Sequence, residues 1–139
     1  MTTTTPGKAF PTGFFTDVEM DTPESIAAGA DFTVTVRFTG DPANPFWTFI
    51  RDLGTVSHKV ELVADTIGPG TDVSLNGPAG AVGLLVASQD TYDVAINVPA
   101  GGTLAAGLYE LGAVITFSNG GSVLSGVSAF IGDAVMQVR

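Results

Sequence analysis

The sequence predicts an all-β protein, an antiparallel β-sandwich of seven to eight strands with one short helix. Three observations predict this fold class. Residues 30–40 alternate between apolar and polar side chains, which indicates a strand with one buried face. Similar short runs recur between Gly-, Pro- and Asn-rich turns, at the spacing typical of a sandwich. Helical spacing is confined to residues 45–53.

The composition narrows the classes of protein to which this chain can belong. A length of 139 residues suits one domain with its own core. The chain has no cysteine, which excludes disulfide scaffolds, thiolate metal sites and cysteine nucleophiles. Fourteen acidic and five basic residues give a net charge of −9, which argues against nucleic acid and anionic membranes as partners. Charged residues make up only 14% of the chain, so much of its surface must be uncharged.

Residues 1–13 are rich in Thr, Pro and Gly and are interpreted as an N-terminal arm, followed by a sandwich domain over residues 14–139. We expect this arm to pack on its own domain or on a neighbouring molecule. No Sec-type signal is recognised in the sequence as written, and no apolar stretch in it approaches the roughly 18 residues of a membrane span, so membrane insertion is not expected. A cytoplasmic location is the default, while export as a processed domain or within a particle stays open.

The first half of the domain is predicted to contain two strands and the helix. The strands cover residues 14–21 and 30–40, so the helix over residues 45–53 lies between the second and third strands of the domain. Asn44 is a suitable N-cap, and Pro45 suits the first helical position, because its missing N–H would have no partner there.

The helix carries most of the aromatic residues of this region. Most of its apolar stripe is expected to cap the open end of the sandwich; the stripe consists of Phe46, Phe49, Ile50 and Leu53. Trp47 lies just off this stripe and is expected to be the most exposed of these residues. The alternative is that Phe46 and Trp47 form a sugar-binding platform or fill a partner's pocket.

The second half of the chain is predicted to be strands and turns throughout. A bulge near Gly132 and Asp133 is expected to interrupt the last strand. The predicted strands cover residues 56–65, 72–75, 83–88, 91–98, 108–118 and 123–138, and turns are predicted over residues 67–70, 76–80 and 118–122.

Two segments resemble those of a known group of modules. Residues 25–36, Ser-Ile-Ala-Ala-Gly-Ala-Asp-Phe-Thr-Val-Thr-Val, resemble the second strand of bacterial immunoglobulin-like modules of the CARDB and fibronectin III kind. Residues 103–109, Thr-Leu-Ala-Ala-Gly-Leu-Tyr, are similar to the tyrosine corner of the same group, in which the hydroxyl bonds to the chain a few residues upstream. The resemblance implies an immunoglobulin-like sandwich and, as function, only adhesion, spacing or assembly. The helix departs from the pattern.

Few residues offer catalytic or metal chemistry. The single histidine, His58, has no nucleophile-elbow pattern near it and is interpreted as an ordinary surface histidine. Asp17, Glu19 and Asp21 share one strand face, where Arg37 is expected to balance them as part of a solvated acidic face. Calcium binding by these carboxylates is the alternative. No cofactor is expected, and the chain is predicted not to be an enzyme.

The functional hint lies in the distribution of charge. Between Val94 and Gly132 the only charged residue is Glu110. Uncharged strands without protecting lysines or prolines indicate a buried second face or a paired edge, and the alternative is an inert exposed sheet smoothed by glycines. The candidate interface residues are Gly112, Val114, Thr116, Val127, Ala129 and Ile131.

We therefore predict a non-catalytic structural module that self-associates, or docks in a larger assembly, through these late strands. A homo-oligomer or protein assembly is the expected partner. The alternative is a ligand-binding module, for carbohydrate near Trp47 or for calcium at Asp17, Glu19 and Asp21.

Overall fold

In the computed structural model, which describes residues 1–68, 72–77 and 79–139, two β-sheets pack face to face. One α-helix, α1, spans Pro45–Asp52, and a short 3-10 segment covers Pro99–Thr103. The strands follow the chain as β1 (Thr2–Pro6), β2 (Lys8–Phe10), β3 (Phe15–Pro23), β4 (Ser25–Ile26), β5 (Phe32–Gly40), β6 (Val56–Thr66), β7 (Val73–Ser74), β8 (Ala81–Leu84), β9 (Thr91–Val98), β10 (Gly107–Asn119) and β11 (Ser122–Val138).

The small sheet has the strand order β1-β3-β5-β9, and the large sheet has the order β2-β11-β10-β6-β7. Strand β8 also pairs with β6, in antiparallel orientation. Strand β4 pairs with the end of β11 in parallel orientation, whereas the other described strand pairs are antiparallel. The predicted all-β sandwich with one helix is confirmed. The structure also contains strands that were not predicted, because residues 2–10, interpreted as part of an arm, contribute two strands and Ser25–Ile26 forms another. The turns predicted over residues 67–70 and 76–80 lie partly outside the described residues.

The core lies between the two sheets and follows the predicted alternation. The apolar row of β5, which is Phe32, Val34, Val36 and Phe38, is buried against the inner row of β10, which is Tyr109, Leu111, Ala113, Ile115 and Phe117. Successive side chains of a strand point to opposite faces, so the polar or small residues between these buried positions face outward. Both outer faces of the sandwich are therefore set by the residues between these core positions.

Two local predictions are confirmed by geometry. The hydroxyl of Tyr109 donates a hydrogen bond of 2.7 Å to the carbonyl oxygen of Ala105, as in a tyrosine corner. The pairing of β10 with β11 shifts between Leu111 and Ala113, where Gly112 faces two residues of β11. This is the bulge predicted near Gly132 and Asp133, and Asp133 has a φ of 65° there.

Helix α1 begins where predicted but turns a different face inward. The side chain of Asn44 caps it by accepting hydrogen bonds from the backbone nitrogens of Phe46 (3.0 Å) and Trp47 (3.3 Å). Trp47 and Ile50 are its buried residues. The predicted stripe is wrong in part, because Phe46, Phe49 and Leu53 are exposed. In the described part of the chain, no helix is long and apolar enough to cross a membrane.

The N-terminal residues cross from one sheet to the other. Strand β1 pairs antiparallel with β3 in the small sheet, and β2 pairs antiparallel with β11 in the large sheet. Gly7 lies at the crossover, where its N–H donates a hydrogen bond of 2.7 Å to the carbonyl oxygen of Val18. The segment interpreted as an arm therefore lies along one side of its own sandwich.

Candidate functional site

The predicted interface residues divide between the two faces of the large sheet. Gly112, Val114 and Thr116 of β10 lie on the outer face, whereas the candidate interface residues of β11 do not. The prediction for Val127, Ala129 and Ile131 is wrong, since all three are buried in the core. Their register explains this, because residues directly opposite each other in an antiparallel pair share a face. Ala129 lies opposite Ile115 and Ile131 opposite Ala113, and both of these are core residues.

The outer face carries an apolar ridge, which we define as Phe10, Val114 and Phe130. Phe130 lies opposite Val114, and the rings of Phe10 and Phe130 stack with centroids 6.2 Å apart. Their exposed fractions are 54% for Phe10, 43% for Val114 and 44% for Phe130. Phe10 is not among the residues predicted from the sequence, because residues 1–13 are interpreted as an arm and the three residues Lys8–Phe10 are too few to show a strand period.

Charged side chains border the ridge on the same face. Lys59 and Glu61 of β6 form an ion pair with 2.7 Å between Nζ and Oε1. Beyond that pair, Val82 and Leu84 of β8 are exposed at the far edge of the sheet. The outer face of the large sheet thus has two apolar areas with one solvated ion pair between them.

The outer face of the small sheet has a different character. None of the large apolar side chains that are exposed in the described part of the chain belongs to a strand of this sheet. The strands of the large sheet carry eight of them: Phe10, Val82, Leu84, Leu108, Val114, Val123, Phe130 and Val135. The two outer faces of the sandwich therefore differ sharply in their content of exposed apolar side chains.

The acidic row on the small sheet surrounds one arginine. Arg37 of β5 forms an ion pair with Glu19 and another with Asp93, at 2.6 Å, and Asp21 lies 4.0 Å from it. Arg37 balances the acidic face as expected. Calcium binding gains no support, because Arg37 occupies the space between these carboxylates. Among the residues that the structure describes, no three His, Cys, Asp or Glu side chains are placed to hold a metal ion.

A second group of acids lies on the outer face of the large sheet, beside the bulge. The pKa of Asp65 is raised by a hydrogen bond with Asp72 and by the negative charge of Asp72. A hydrogen bond with Asp133, desolvation and the charges of Asp133 and Asp65 raise the pKa of Glu110. This group makes one end of the outer face negative, whereas Lys59 lies towards the other end.

Trp47 is fully buried, so the expectation that it is exposed is wrong. Its indole N–H donates a hydrogen bond of 2.8 Å to Oδ1 of Asp90, which also accepts one of 2.8 Å from Arg51. The bond from Trp47 and the ion pair with Arg51 lower the pKa of Asp90. A carbohydrate platform at Trp47 is not supported by this geometry. Phe46, the other residue suggested for such contacts, is half exposed and rests against the ring of Phe14, with centroids 5.6 Å apart.

Comparisons with known proteins place the fold. No protein-family model matches the chain, and no curated protein matches its sequence. Among solved structures, the chain is similar to the crystal structure of the C-terminal domain of Wzt. The two are 14% identical, and the match covers 96% of this chain and 78% of that domain, with a TM-score of 0.57. What they share is the β-sandwich fold.

The single histidine belongs to the core. His58 is 7% exposed and packs against the rings of Phe38 and Tyr92, with centroid distances of 5.3 and 5.6 Å. The interpretation as a surface histidine is wrong, because His58 shares its face of β6 with the buried Val56 and Val60. Its Nδ1 is buried and has no hydrogen-bond partner in the structure. Burial lowers the pKa of His58.

This buried imidazole should make stability depend on pH. Native His58 resists protonation, so its contribution is fully present above about pH 6.5, the ordinary pKa of histidine. It declines as the pH falls below that value towards the lowered native pKa, because the unfolded chain binds a proton that the native chain does not. We expect His58→Leu to lose this decline when urea midpoints are measured from about pH 7.5 to 5.5. An equal decline in both proteins would show that His58 is not its source.

Proposed function

We propose that this protein is a non-catalytic structural module of the immunoglobulin-like kind, which self-associates through the outer face of its large sheet. One observation carries the proposal. Exposed apolar side chains are concentrated on the strands of the large sheet, whereas the small sheet presents polar residues and the carboxylates around Arg37. Exposed apolar clusters with a polar rim are typical of protein interaction sites.

The ridge gives this face a suitable centre. Full burial of a Val or Phe side chain contributes about 1.5–3 kcal/mol. Phe10, Val114 and Phe130 are each about half exposed and rise from neighbouring strands, so a second flat sheet can cover all three together. The Lys59–Glu61 pair lies beside them, where it can remain hydrated at the rim of such an interface.

The charges on this face allow a two-fold arrangement. Along the strands, Val114 lies between the row of Lys59 and the row of Asp65 and Glu110. A two-fold axis close to Val114 and perpendicular to the strands places Lys59 of each copy over the acids of the other, while Glu61, which lies opposite Val114, comes near Glu61 of the other copy and keeps its pairing with Lys59. Complementary charges of this kind fix the register of an interface more than they add affinity. Such a pair is isologous, with the same patch on both copies.

The core position of His58 supports the non-catalytic part of the proposal. The neighbouring serine, Ser57, lies on the opposite face of β6 from His58, so it is not placed to act as a nucleophile with this imidazole. The tyrosine corner at Tyr109 and the CARDB-like strand are features of folding, and their resemblance is to modules used for adhesion, spacing or assembly.

The test is the oligomeric state in solution. We expect light scattering after size-exclusion chromatography to show a species larger than the 14.1 kDa of one chain. Val114→Lys and Phe130→Lys each place a charge in the ridge and should raise the dissociation constant at least about tenfold. Thr33→Lys is the matched control, since it adds the same charge to an exposed position of a central strand in the small sheet.

Two results would overturn the proposal. One is a monomer at every concentration up to about 1 mM, which corresponds to an association weaker than about 4 kcal/mol. The other is a loss of association by Thr33→Lys equal to that by Val114→Lys, since the outer face of the large sheet would then have no special role.

A further inference from the structure

The N-terminal arm, residues 1–13, holds the last position in both sheets. Strand β1 is terminal in the order β1-β3-β5-β9, and β2 is terminal in the order β2-β11-β10-β6-β7. No described strand lies beyond either of them. The arm can therefore leave without breaking any other strand pair, and its departure opens one edge in each sheet.

The main chain, rather than the core, holds the arm in place. Five residue pairs join β1 to β3 and three join β2 to β11. Side-chain bonds run from the hydroxyl of Thr3 to Glu24 (3.1 Å) and from that of Thr4 to Asp21 (2.5 Å). Backbone bonds outside the strand pairs also join Gly7 to Val18 (2.7 Å) and Met1 to Glu24 (3.1 Å). The structure assigns no arm residue to the buried core, and Ala9 is the one that packs partly against it. Segments with few buried apolar contacts are those that open most readily.

The two edges accept this arm selectively because of Gly7. At the crossover a Cβ atom would overlap the side chain of Ile131 and would lie 2.6 Å from the carbonyl oxygen of Phe130. Only glycine lets the backbone approach that closely. Edge strands bind through backbone hydrogen bonds that tolerate many sequences, so the fit at Gly7 supplies specificity for this particular segment.

The connection to the domain allows the arm to reach further. Pro11, Thr12 and Gly13 are exposed, and Gly13 has a φ of 86° in a turn closed by the bond from the Phe14 nitrogen to the Pro11 carbonyl. A groove of about 480 Å³, lined partly by Lys8, Phe10 and Phe15, lies next to this turn. Three fully extended residues span at most about 10 Å, so opening this turn lengthens the reach of the arm.

We infer that the arm is exchangeable between copies, and that the partner of the two open edges is residues 2–10 of a second copy of this chain. The strand pairs that β1 and β2 form within one chain can form in the same register with β3 and β11 of a second copy. The short tether gives the arm an effective concentration of about 1 mM at the edges of its own domain. Binding of the arm to a second copy therefore competes with binding to its own domain when the protein concentration is also near 1 mM. This inference does not depend on association through the outer face, although Phe10 moves with the arm and joins the ridge of the accepting copy.

The absence of cysteine in the chain allows a direct test on the full-length protein. One population carries Thr4→Cys in the arm, and a second carries Asp21→Cys at the position opposite it. The Cα atoms of antiparallel partners lie about 4.5–5.5 Å apart, which suits a disulfide. After mixing near 1 mM under mild oxidation, we expect at least about tenfold more mixed disulfide than random collision produces, and less after dilution.

Two controls separate exchange from chance contact. Mixing Thr33→Cys with Asn97→Cys tests an exposed pair of partners in β5 and β9, and its mixed product should stay at the level of random collision. Adding Gly7→Val to the Thr4→Cys chain should reduce the Thr4–Asp21 product to that level too. The inference is overturned if the Thr4–Asp21 product never exceeds random collision, or if Gly7→Val leaves it unchanged.

Discussion

Replacing Trp47 with alanine is expected to lower the free energy of unfolding by about 3–5 kcal/mol, the largest effect of any single truncation that we propose. The indole is fully buried at the end of the sandwich, where it contacts the rings of Phe14, Phe15 and Tyr92. Its removal leaves a cavity and also deprives Asp90 of a hydrogen-bond donor. Helix α1 has eight residues, too few for an isolated helix to be stable, so its attachment depends on this contact.

Urea unfolding followed by circular dichroism measures this effect, since Trp47 is the only tryptophan and its fluorescence disappears with it. Phe49→Ala is the matched control, because Phe49 is an aromatic residue of the same helix but is more than half exposed. It should cost less than about 1 kcal/mol. Equal losses in the two variants would mean that α1 does not seal the sandwich through Trp47.

Gly40→Ala is expected to be nearly as destabilising, by about 3 kcal/mol, at the upper end of the cost of overpacking. A Cβ atom at Gly40 would fall within the space occupied by the indole ring of Trp47. The indole cannot move aside easily, because Phe14, Phe15 and the hydrogen bond to Asp90 hold it. Gly40 therefore provides the flat backbone on which Trp47 lies.

A double-mutant cycle tests whether the two positions act through the same contact. In the Trp47→Ala background the clash is absent, so Gly40→Ala should cost less than about 1 kcal/mol there. Gly126→Ala is the control substitution, since a Cβ atom on this strand glycine meets nothing within 4 Å. If the losses at Gly40 and Trp47 simply add, the proposed clash is not the cause.

Residue alternation predicted most of the fold, because each central strand has one apolar row and its register follows from burying it. The row Phe32, Val34, Val36 and Phe38 is an example, and the cap at Asn44 and the bond of Tyr109 were equally readable from local chemistry. The inward face of helix α1 could not be predicted from local chemistry in the same way. An eight-residue helix with apolar side chains on two sides has no unique buried stripe, and the choice depends on distant residues, Gly40 and Asp90.

Only part of the candidate interface could be predicted from the sequence, for a related reason. Low charge over residues 94–132 does not say which parity of a strand points outward. On β10 the inner row was clear from its aromatic residues, whereas β11 has apolar residues on both faces, such as Phe130 and Ile131, and its inward face required the pairing of Ala129 with Ile115. The contribution of Phe10 depends on strand β2, whose three residues are too few to show a period.

The ion cluster around Arg37 has a consequence for the size of any assembly. Glu19, Asp21 and Asp93 outnumber the single guanidinium, so the outer face of the small sheet keeps a net negative charge and repels its own kind. A module with one adhesive face and one repulsive face forms a closed pair with two-fold symmetry. Under the association proposed above, stacking through the sheet faces would therefore stop at two copies, and growth into longer chains would have to run through the exchanged arms.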